Sequence, residues 1–303
     1  MLRDSRFQRI DVFPITGALG ADIRGVDLAD MPDAATFAEV RRALDIYHVV
    51  ALREQTLTPA SYKAAAARFG EFSPNPVHAS MPELEHIIRF ERDVDDTGKV
   101  IGEDWHMDLA WLPRPPGITM LYAEVVPPVG GDTCFSSLAM AYRALSPRLR
   151  ELLQGQTAVH SGKGVFAINA IQSRLALRAD AVSAEETEVV HPVICMHPVT
   201  QEPYLFVSSV MRSLMGLSED ESRPLIQYLV NLATRPEFQC RVRWEAGTLT
   251  MWDNPCVMHT AINDYSGYRR VTYRTTIEGW VPVAAMASPT AGQAAQPRES
   301  QRT

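Results

Sequence analysis

The chain has 303 residues, 46% of them hydrophobic and 21% charged, with a formal net charge of −7. That length and balance suit a folded enzyme with a large core, and the acidic surface gives no electrostatic reason to bind nucleic acid or an anionic membrane. No apolar run approaches a membrane span, residues 1–6 lack the apolar core of a signal peptide, and Cys134, Cys195, Cys240 and Cys256 have neither disulfide nor zinc spacing. A soluble cytoplasmic protein with reduced thiols is expected.

Short strands are expected over 8–13 and 21–27, joined by the turn Thr16-Gly17-Ala18-Leu19-Gly20. Pro32-Asp33 leads into a helix over 34–46, with Phe37, Val40, Leu44 and Ile46 as its apolar face. A buried strand follows at 48–52, and Thr58-Pro59 starts a helix that ends near Phe69-Gly70. From Ile87 the texture turns β-rich, with strands expected over 87–91, 98–102, 117–126, 133–136, 189–196, 203–208, 238–243, 247–252 and 269–280. Helices interrupt over 137–155 and 218–233. Many short strands punctuated by turns point to a mainly β fold with flanking helices, a sandwich or barrel-like double sheet. Residues 284–303, rich in Ala, Ser, Pro, Gln and Gly, are expected to form a disordered tail, leaving 1–283 as one folded domain.

The chemistry concentrates in His106-Met107-Asp108 and in His259, which follows the turn after Trp252-Asp253-Asn254. On a strand, residues i and i+2 share a face, so His106 and Asp108 can point at one ion. Two histidines and one carboxylate, with open positions opposite, form the facial triad of non-haem Fe(II) oxygenases. Zinc accepts the same donors; the strand spacing and the arginines below argue against it. His191 and His197, each beside a proline, and His48 and His86 read as structural, while His160 is left open as a pocket residue.

Arg269 to Ile277 reads as a strand, whose period of two puts Arg270, Thr272, Arg274 and Thr276 on one face. Two arginines on one face of a core strand are costly unless they meet anions, and a guanidinium matches a carboxylate in bidentate fashion. A solvated edge strand is the alternative. Gly130-Gly131-Asp132-Thr133 is a turn, and the Thr133 hydroxyl could add a second hydrogen bond to the same carboxylate.

Together these segments resemble the TauD/TfdA family of Fe(II)- and 2-oxoglutarate-dependent dioxygenases. The resemblance runs from Pro14-Ile15-Thr16-Gly17-Ala18-Leu19-Gly20-Ala21 and Gly25-Val26-Asp27-Leu28 through Arg68-Phe69-Gly70, Trp105-His106-Met107-Asp108 and Gly130-Gly131-Asp132-Thr133. It closes with Trp252-Asp253-Asn254, His259, Asp264-Tyr265 and Arg269-Arg270 through Arg274. It implies a double-stranded β-helix (jelly-roll) core, with iron on His106, Asp108 and His259. It also implies that Arg270 and Thr133 hold the distal carboxylate of 2-oxoglutarate, with Arg274 facing either that co-substrate or the anionic group of the prime substrate.

The implied reaction consumes O2 and 2-oxoglutarate, releases succinate and CO2, and hydroxylates a substrate C–H, with C–O cleavage where that carbon bears an ether or sulfate oxygen. Desaturation, epoxidation or ring formation are the alternative outcomes. A non-catalytic binding protein and a zinc hydrolase are the rival readings.

Taurine-type members carry a His and a Tyr in the segment that here reads Asn75-Pro76-Val77-His78, and an Asn where Gly102 falls, which argues against taurine. Residues 99–106, His160-Ser161 and Arg241-Val242-Arg243-Trp244 look more like the aryloxyalkanoate dioxygenases of the (R)-phenoxypropionate type, whereas Ser208 departs from the family's usual Asn. Candidate substrate contacts are Asn75, His78, Met107, His160, Met211, Arg212 and Arg274. If one arginine satisfies one carboxylate, the second needs an anion of its own or a shared one. The expected partner is therefore a small anionic molecule with an apolar or aromatic body; a homo-oligomer, dimer or tetramer, is left open.

Overall fold

The computed structural model describes residues 2–96, 98–163 and 188–286. Its first third follows from local capping chemistry. β1 (Asp11–Pro14) and β2 (Ala21–Arg24) pair as an antiparallel hairpin, and the Thr16 hydroxyl closes the turn by donating to the Leu19 carbonyl at 2.8 Å. The carboxylate of Asp33 accepts from the Thr36 N–H to start α1 (Ala34–Tyr47), which stops at His48 in the left-handed region, φ +57°. β3 (Val49–Leu52) is buried throughout, and a Thr58–Ser61 capping box with Pro59 in the first turn starts α2 (Pro59–Ala67).

β4 (Ile88–Arg92), β5 (Ile118–Val125), β13 (Leu249–Asp253) and β15 (Arg270–Ile277) join these strands in a seven-stranded sheet of order β1-β2-β3-β13-β5-β15-β4. Only the β2–β3 pairing is parallel. A second sheet places β6 (Thr133–Ser137) between β12 (Gln239–Val242) and β14 (Val257–Ala261). The two sheets share a buried cluster: Val49, Ala51 and Trp252 from the first, and Phe135, Cys240, Val242 and Val257 from the second. On β13, Leu249 and Met251 instead pack with α1 and α2 residues such as Val40, Leu44, Tyr62 and Ala66. Alternation along one strand thus supplies two cores, and each large side chain buried adds about 1.5–3 kcal/mol.

A third core lies around α3 (Leu138–Ala144), α4 (Pro147–Leu153) and α5 (Glu219–Ala233). It is completed by two small sheets, β11 (Met211–Leu214), β7 (Thr157–Ser161) and β8 (Glu188–Pro192) in one, β9 (Ile194–Met196) and β10 (Pro203–Leu205) in the other.

The structure departs from the sequence expectation in several places. The helix expected over 137–155 is split, because Pro147 disfavours a helical Ser146 and Ser146 instead caps α4. Residues 98–102 form no strand; Gly102 takes φ +82° in a loop over the site. Strands β7, β11 and β14 lie where none was foreseen. Ala284 bridges Cys195, and Ala285 is buried, donating its N–H to Ile194 O at 3.0 Å, so the fold continues past residue 283 on main-chain bonds to a strand edge. The remainder of the expected tail, 287–303, lies outside the described residues. Among the described residues no helix is long and apolar enough to cross a membrane.

One crossing is tight enough to test. A Cβ on Gly279 would sit 2.2 Å from Pro115 O and 2.5 Å from Gly117 N. Gly279→Ala must move main chain, and is expected to lower stability by about 1–3 kcal/mol or more; a urea unfolding midpoint equal to wild type would contradict this.

Candidate metal centre and co-substrate pocket

His106 is placed by a single antiparallel bridge to β14: its N–H donates to His259 O at 2.9 Å, and the His259 N–H donates back at 2.8 Å. Asp108 does not share a strand with it. The chain enters a turn at Asp108, with Leu109 at φ +50°. Pro113, Pro115 and Pro116 follow, and prolines cannot donate to a ladder. The i, i+2 strand geometry expected for this pair is therefore replaced by a bridge and a turn.

The three side chains nevertheless converge. His106 Nε2 lies 3.7 Å from Asp108 Oδ1, and His259 Nε2 lies 3.7 Å from Oδ2. One ligand atom from each of the three fits within a 4.8 Å span. His106 Nδ1 is 2.7 Å from Asp104 O, so its N–H donates there and Nε2 keeps its lone pair for an ion. Burial, then the positive charges of His106 and Arg274, push the His259 imidazole down to about 3, so it is neutral at physiological pH. Burial works to raise the Asp108 carboxyl, but Arg274, His259, His106 and the Thr119 hydroxyl outweigh it and hold it well below the usual carboxylate range. A neutral His259 imidazole, a His106 ring whose Nε2 faces the site and an ionised Asp108 carboxylate match the donors that ferrous iron takes.

Register brings further groups to the same place. In β5, Thr119 lies opposite Trp252 of β13 and Thr276 of β15. Its hydroxyl donates to Asp108 Oδ2 at 2.8 Å. Arg274 Nη2 lies 2.7 Å from Asp108 Oδ1 without an N–H aimed at that oxygen, an ion pair rather than an aligned hydrogen bond. Asp108 thus gives Arg274 an anion within the protein itself.

A cavity of about 210 Å³ opens over these residues. Arg270, Thr272 and Arg274 line it, as the period of β15 predicts, with Thr133, Phe90, Leu121 and Trp252. The Arg270 guanidinium lies 5.5 Å from the Trp244 ring and 5.6 Å from the Tyr265 ring, and its Nε has no hydrogen-bond partner. Trp244 Nε1 donates to Thr133 Oγ1 at 3.0 Å, which leaves the threonine proton free to donate into the cavity. In the sequence Trp244 stands out only by likeness to relatives. Its even spacing from the buried Val242 is the signal that places it inward.

Of the seven candidate substrate contacts, only Arg274 lines the cavity. Asn75 accepts from the Val77 and His78 N–H groups at 2.9 Å and so shapes its own loop. His78 is buried edge-on to Phe90, and Met107 is in the helical-side core. His160 packs on His191 and Phe206, with burial pushing it down to about 3, and Met211 pairs with it across β7–β11. Arg212 donates to Lys163 O at 2.5 Å. The 98–102 loop brings Lys99, Val100 and Ile101 to the cavity, a placement that no periodic signal in the sequence marks.

A family profile described as taurine catabolism dioxygenase TauD, TfdA family matches residues 11–276. The chain belongs to this family. It is a 2-oxoglutarate-dependent non-haem iron dioxygenase. The alpha-ketoglutarate-dependent sulfate ester dioxygenase of Pseudomonas putida is 33% identical over 279 residues, covering 90% of this chain and 91% of that protein. The (S)-phenoxypropionate/alpha-ketoglutarate-dioxygenase of Sphingobium herbicidovorans is 29% identical over 279 residues, covering 89% and 95%. A crystal structure of a taurine dioxygenase from Burkholderia xenovorans superposes with a TM-score of 0.76 at 32% identity, covering 91% of this chain and 93% of that one.

The dioxygenase has a second buried group with metal-ligand chemistry, His48, Asp253 and Cys256. Its contacts are those of a packed polar cluster: Asp253 Oδ2 is hydrogen-bonded to His48 Nδ1 at 3.1 Å and lies 3.1 Å from His197 Nε2, a close approach without an aligned N–H. Burial and the Asp253 charge push the Cys256 thiol up, so it stays protonated. This group reads as a structural cluster that ties the end of β13 to the end of α1. Burial opposes charge on His48, but the Asp253 hydrogen bond and charge outweigh it and raise its pKa above 6.5. The contribution of His48 to stability is therefore full below 6.5 and is lost as pH rises through the raised value. His48→Asn, which tolerates the left-handed backbone, should cost more stability at about pH 6 than at about pH 9. Urea unfolding at both pH values checks this; an equal cost would remove the charged pair.

Proposed function

We propose that His106, Asp108 and His259 hold the iron of this dioxygenase, and that Arg270 with Thr133 holds the distal carboxylate of 2-oxoglutarate. Together they hydroxylate a small anionic substrate, in a cytoplasmic enzyme built on a double-stranded β-helix core. The observation that carries the reading is the convergence on one cavity of the three ligand atoms and an Arg270 guanidinium whose Nε has no protein partner. The facing of the seven-stranded and three-stranded sheets around Trp252 and Phe135 supports the core.

When bound, iron and 2-oxoglutarate activate O2 and supply the oxidising power. The chain's own side chains bind and orient. Arg270, set over the Trp244 and Tyr265 rings, presents its fork to a carboxylate, and Thr133, oriented by Trp244, donates one further hydrogen bond. Phe90, Val100, Ile101, Leu121 and Trp252 offer an apolar body its surface and exclude water.

Charge sets the substrate class. Arg92, Lys99, Arg270 and Arg274 line the cavity against Glu91, Asp96 and Asp108. A ferrous ion and the 2-oxoglutarate dianion cancel, leaving one positive charge for an anionic substrate to meet. Arg274 contacts Asp108 through one nitrogen, and we assign the rest of its fork to that anion. Alkyl sulfates, sulfonates and aryloxyalkanoates share this chemistry, an anionic head on an apolar body.

Asp108→Ala and His259→Ala are expected to abolish O2 consumption in the presence of Fe(II) and 2-oxoglutarate while the protein stays folded. Near-normal consumption in either would remove that residue from the centre. Arg270→Ala should weaken 2-oxoglutarate binding by about 2–5 kcal/mol, and Thr133→Ala by about 1.5–3 kcal/mol. Titration of succinate release against 2-oxoglutarate reads both, and unchanged apparent constants in the two variants would displace the clamp.

A further inference from the structure

Asp108 poses a problem that the strand-borne residues of the site do not. It lies in a turn, so no neighbouring strand fixes its main chain, yet its side chain is 7% exposed and must keep one orientation. A buried peptide group also needs partners for its N–H and C=O. Asn254, fully buried in the one-turn helix after β13, meets both needs. Its Oδ1 accepts from the Asp108 N–H at 2.9 Å, and its Nδ2 donates to the Asp108 carbonyl at 3.0 Å and to the Pro116 carbonyl at 3.0 Å. The primary amide thus takes the place of the missing strand neighbour, offering an acceptor and a donor to the same residue.

Its own main chain is anchored in turn, the N–H donating to Gly117 O at 2.9 Å. No other side chain of that size offers the pair: aspartate would set a carboxylate against two carbonyls, and leucine would leave three buried groups unpaired.

The carboxylate is held separately. Thr119 is fully buried in β5, between β13 and β15, and its hydroxyl donates to Asp108 Oδ2. A threonine on a central strand has a stiff χ1, so this donor is fixed in direction. We propose that Asn254 and Thr119 are the positioning residues of Asp108, Asn254 fixing its main chain and Thr119 its carboxylate. The turn then presents a metal-binding oxygen in one orientation.

This rests on the assignment of Asp108 as a metal ligand, and the experiment separates the two. Mn(II) is titrated into metal-free wild type, His259→Ala, Thr119→Val, Thr119→Ser and Asn254→Ala, and the bound ion is followed by electron paramagnetic resonance alongside the melting temperature of each metal-free protein. The expected result is one site in wild type that His259→Ala loses. Thr119→Val, of nearly equal shape, should bind Mn(II) about 10–100-fold more weakly, the usual effect of losing a group that orients a metal ligand. Its bound spectrum should change, and Thr119→Ser should restore both readouts.

Asn254→Ala should weaken binding further; if it does not fold, Thr119→Val decides alone. Wild-type Mn(II) affinity and spectrum in Thr119→Val, with only the melting temperature lowered, would overturn the proposal and leave the metal assignment standing. Failure of wild type to bind Mn(II), or undiminished binding in His259→Ala, would overturn the assignment and the proposal with it.

Discussion

An ionised carboxylate at the 5% exposure of Asp108 is stable only if its surroundings supply the donors and positive charge that water would have given. Here the surroundings are Arg274 on one oxygen and Thr119 on the other, with two imidazoles 3.7 Å away. Each comes from a different segment: β15, β5, the bridge at residue 106, and β14. The sheets must therefore register correctly for the carboxylate to be buried at all, and the site is a consequence of the fold's register rather than an ornament on it. A one-residue slip of β15 would turn Arg270 and Arg274 out of the cavity together.

The cavity divides its work between regular and irregular structure. Strand β15 spaces two guanidiniums by its period, one beside Asp108 and one in the aromatic niche of Trp244 and Tyr265. The turns carry what sheets cannot. Gly130 and Gly131, at φ +82° and +71°, let the chain fold back where a Cβ on Gly130 would lie 2.6 Å from Asp264 Oδ1. Asp264 locks that turn through the Gly131 N–H at 2.6 Å, which delivers Thr133 to the start of β6.

Legibility in the sequence followed the same division. Features governed by periodicity could be read: the face of β15, the buried β3 and β13, and the capped starts of α1 and α2. The donor types of the triad could be read as chemistry, yet the strand inferred for His106 and Asp108 is a bridge and a turn, because a three-residue motif carries no period of its own. Pairings made by long-range register stayed hidden. Arg274 with Asp108, Thr133 with Trp244, and Asp253 with His48 and His197 are each set by tertiary packing. The substrate residues were least legible. Likeness to relatives pointed to Asn75, His160 and Met211, whereas the loop over 98–102 supplies Lys99, Val100 and Ile101.

The central claim is that one cavity holds iron on His106, Asp108 and His259 and a dicarboxylate on Arg270. A crystal structure with Mn(II) and N-oxalylglycine, a non-reacting analogue of 2-oxoglutarate, tests it most directly. The account predicts the ion bound by His106 Nε2, an Asp108 carboxylate oxygen and His259 Nε2, with the analogue's distal carboxylate on Arg270 and Thr133. An ion seated instead among His48, Asp253 and Cys256, or a distal carboxylate lying away from Arg270, would contradict it.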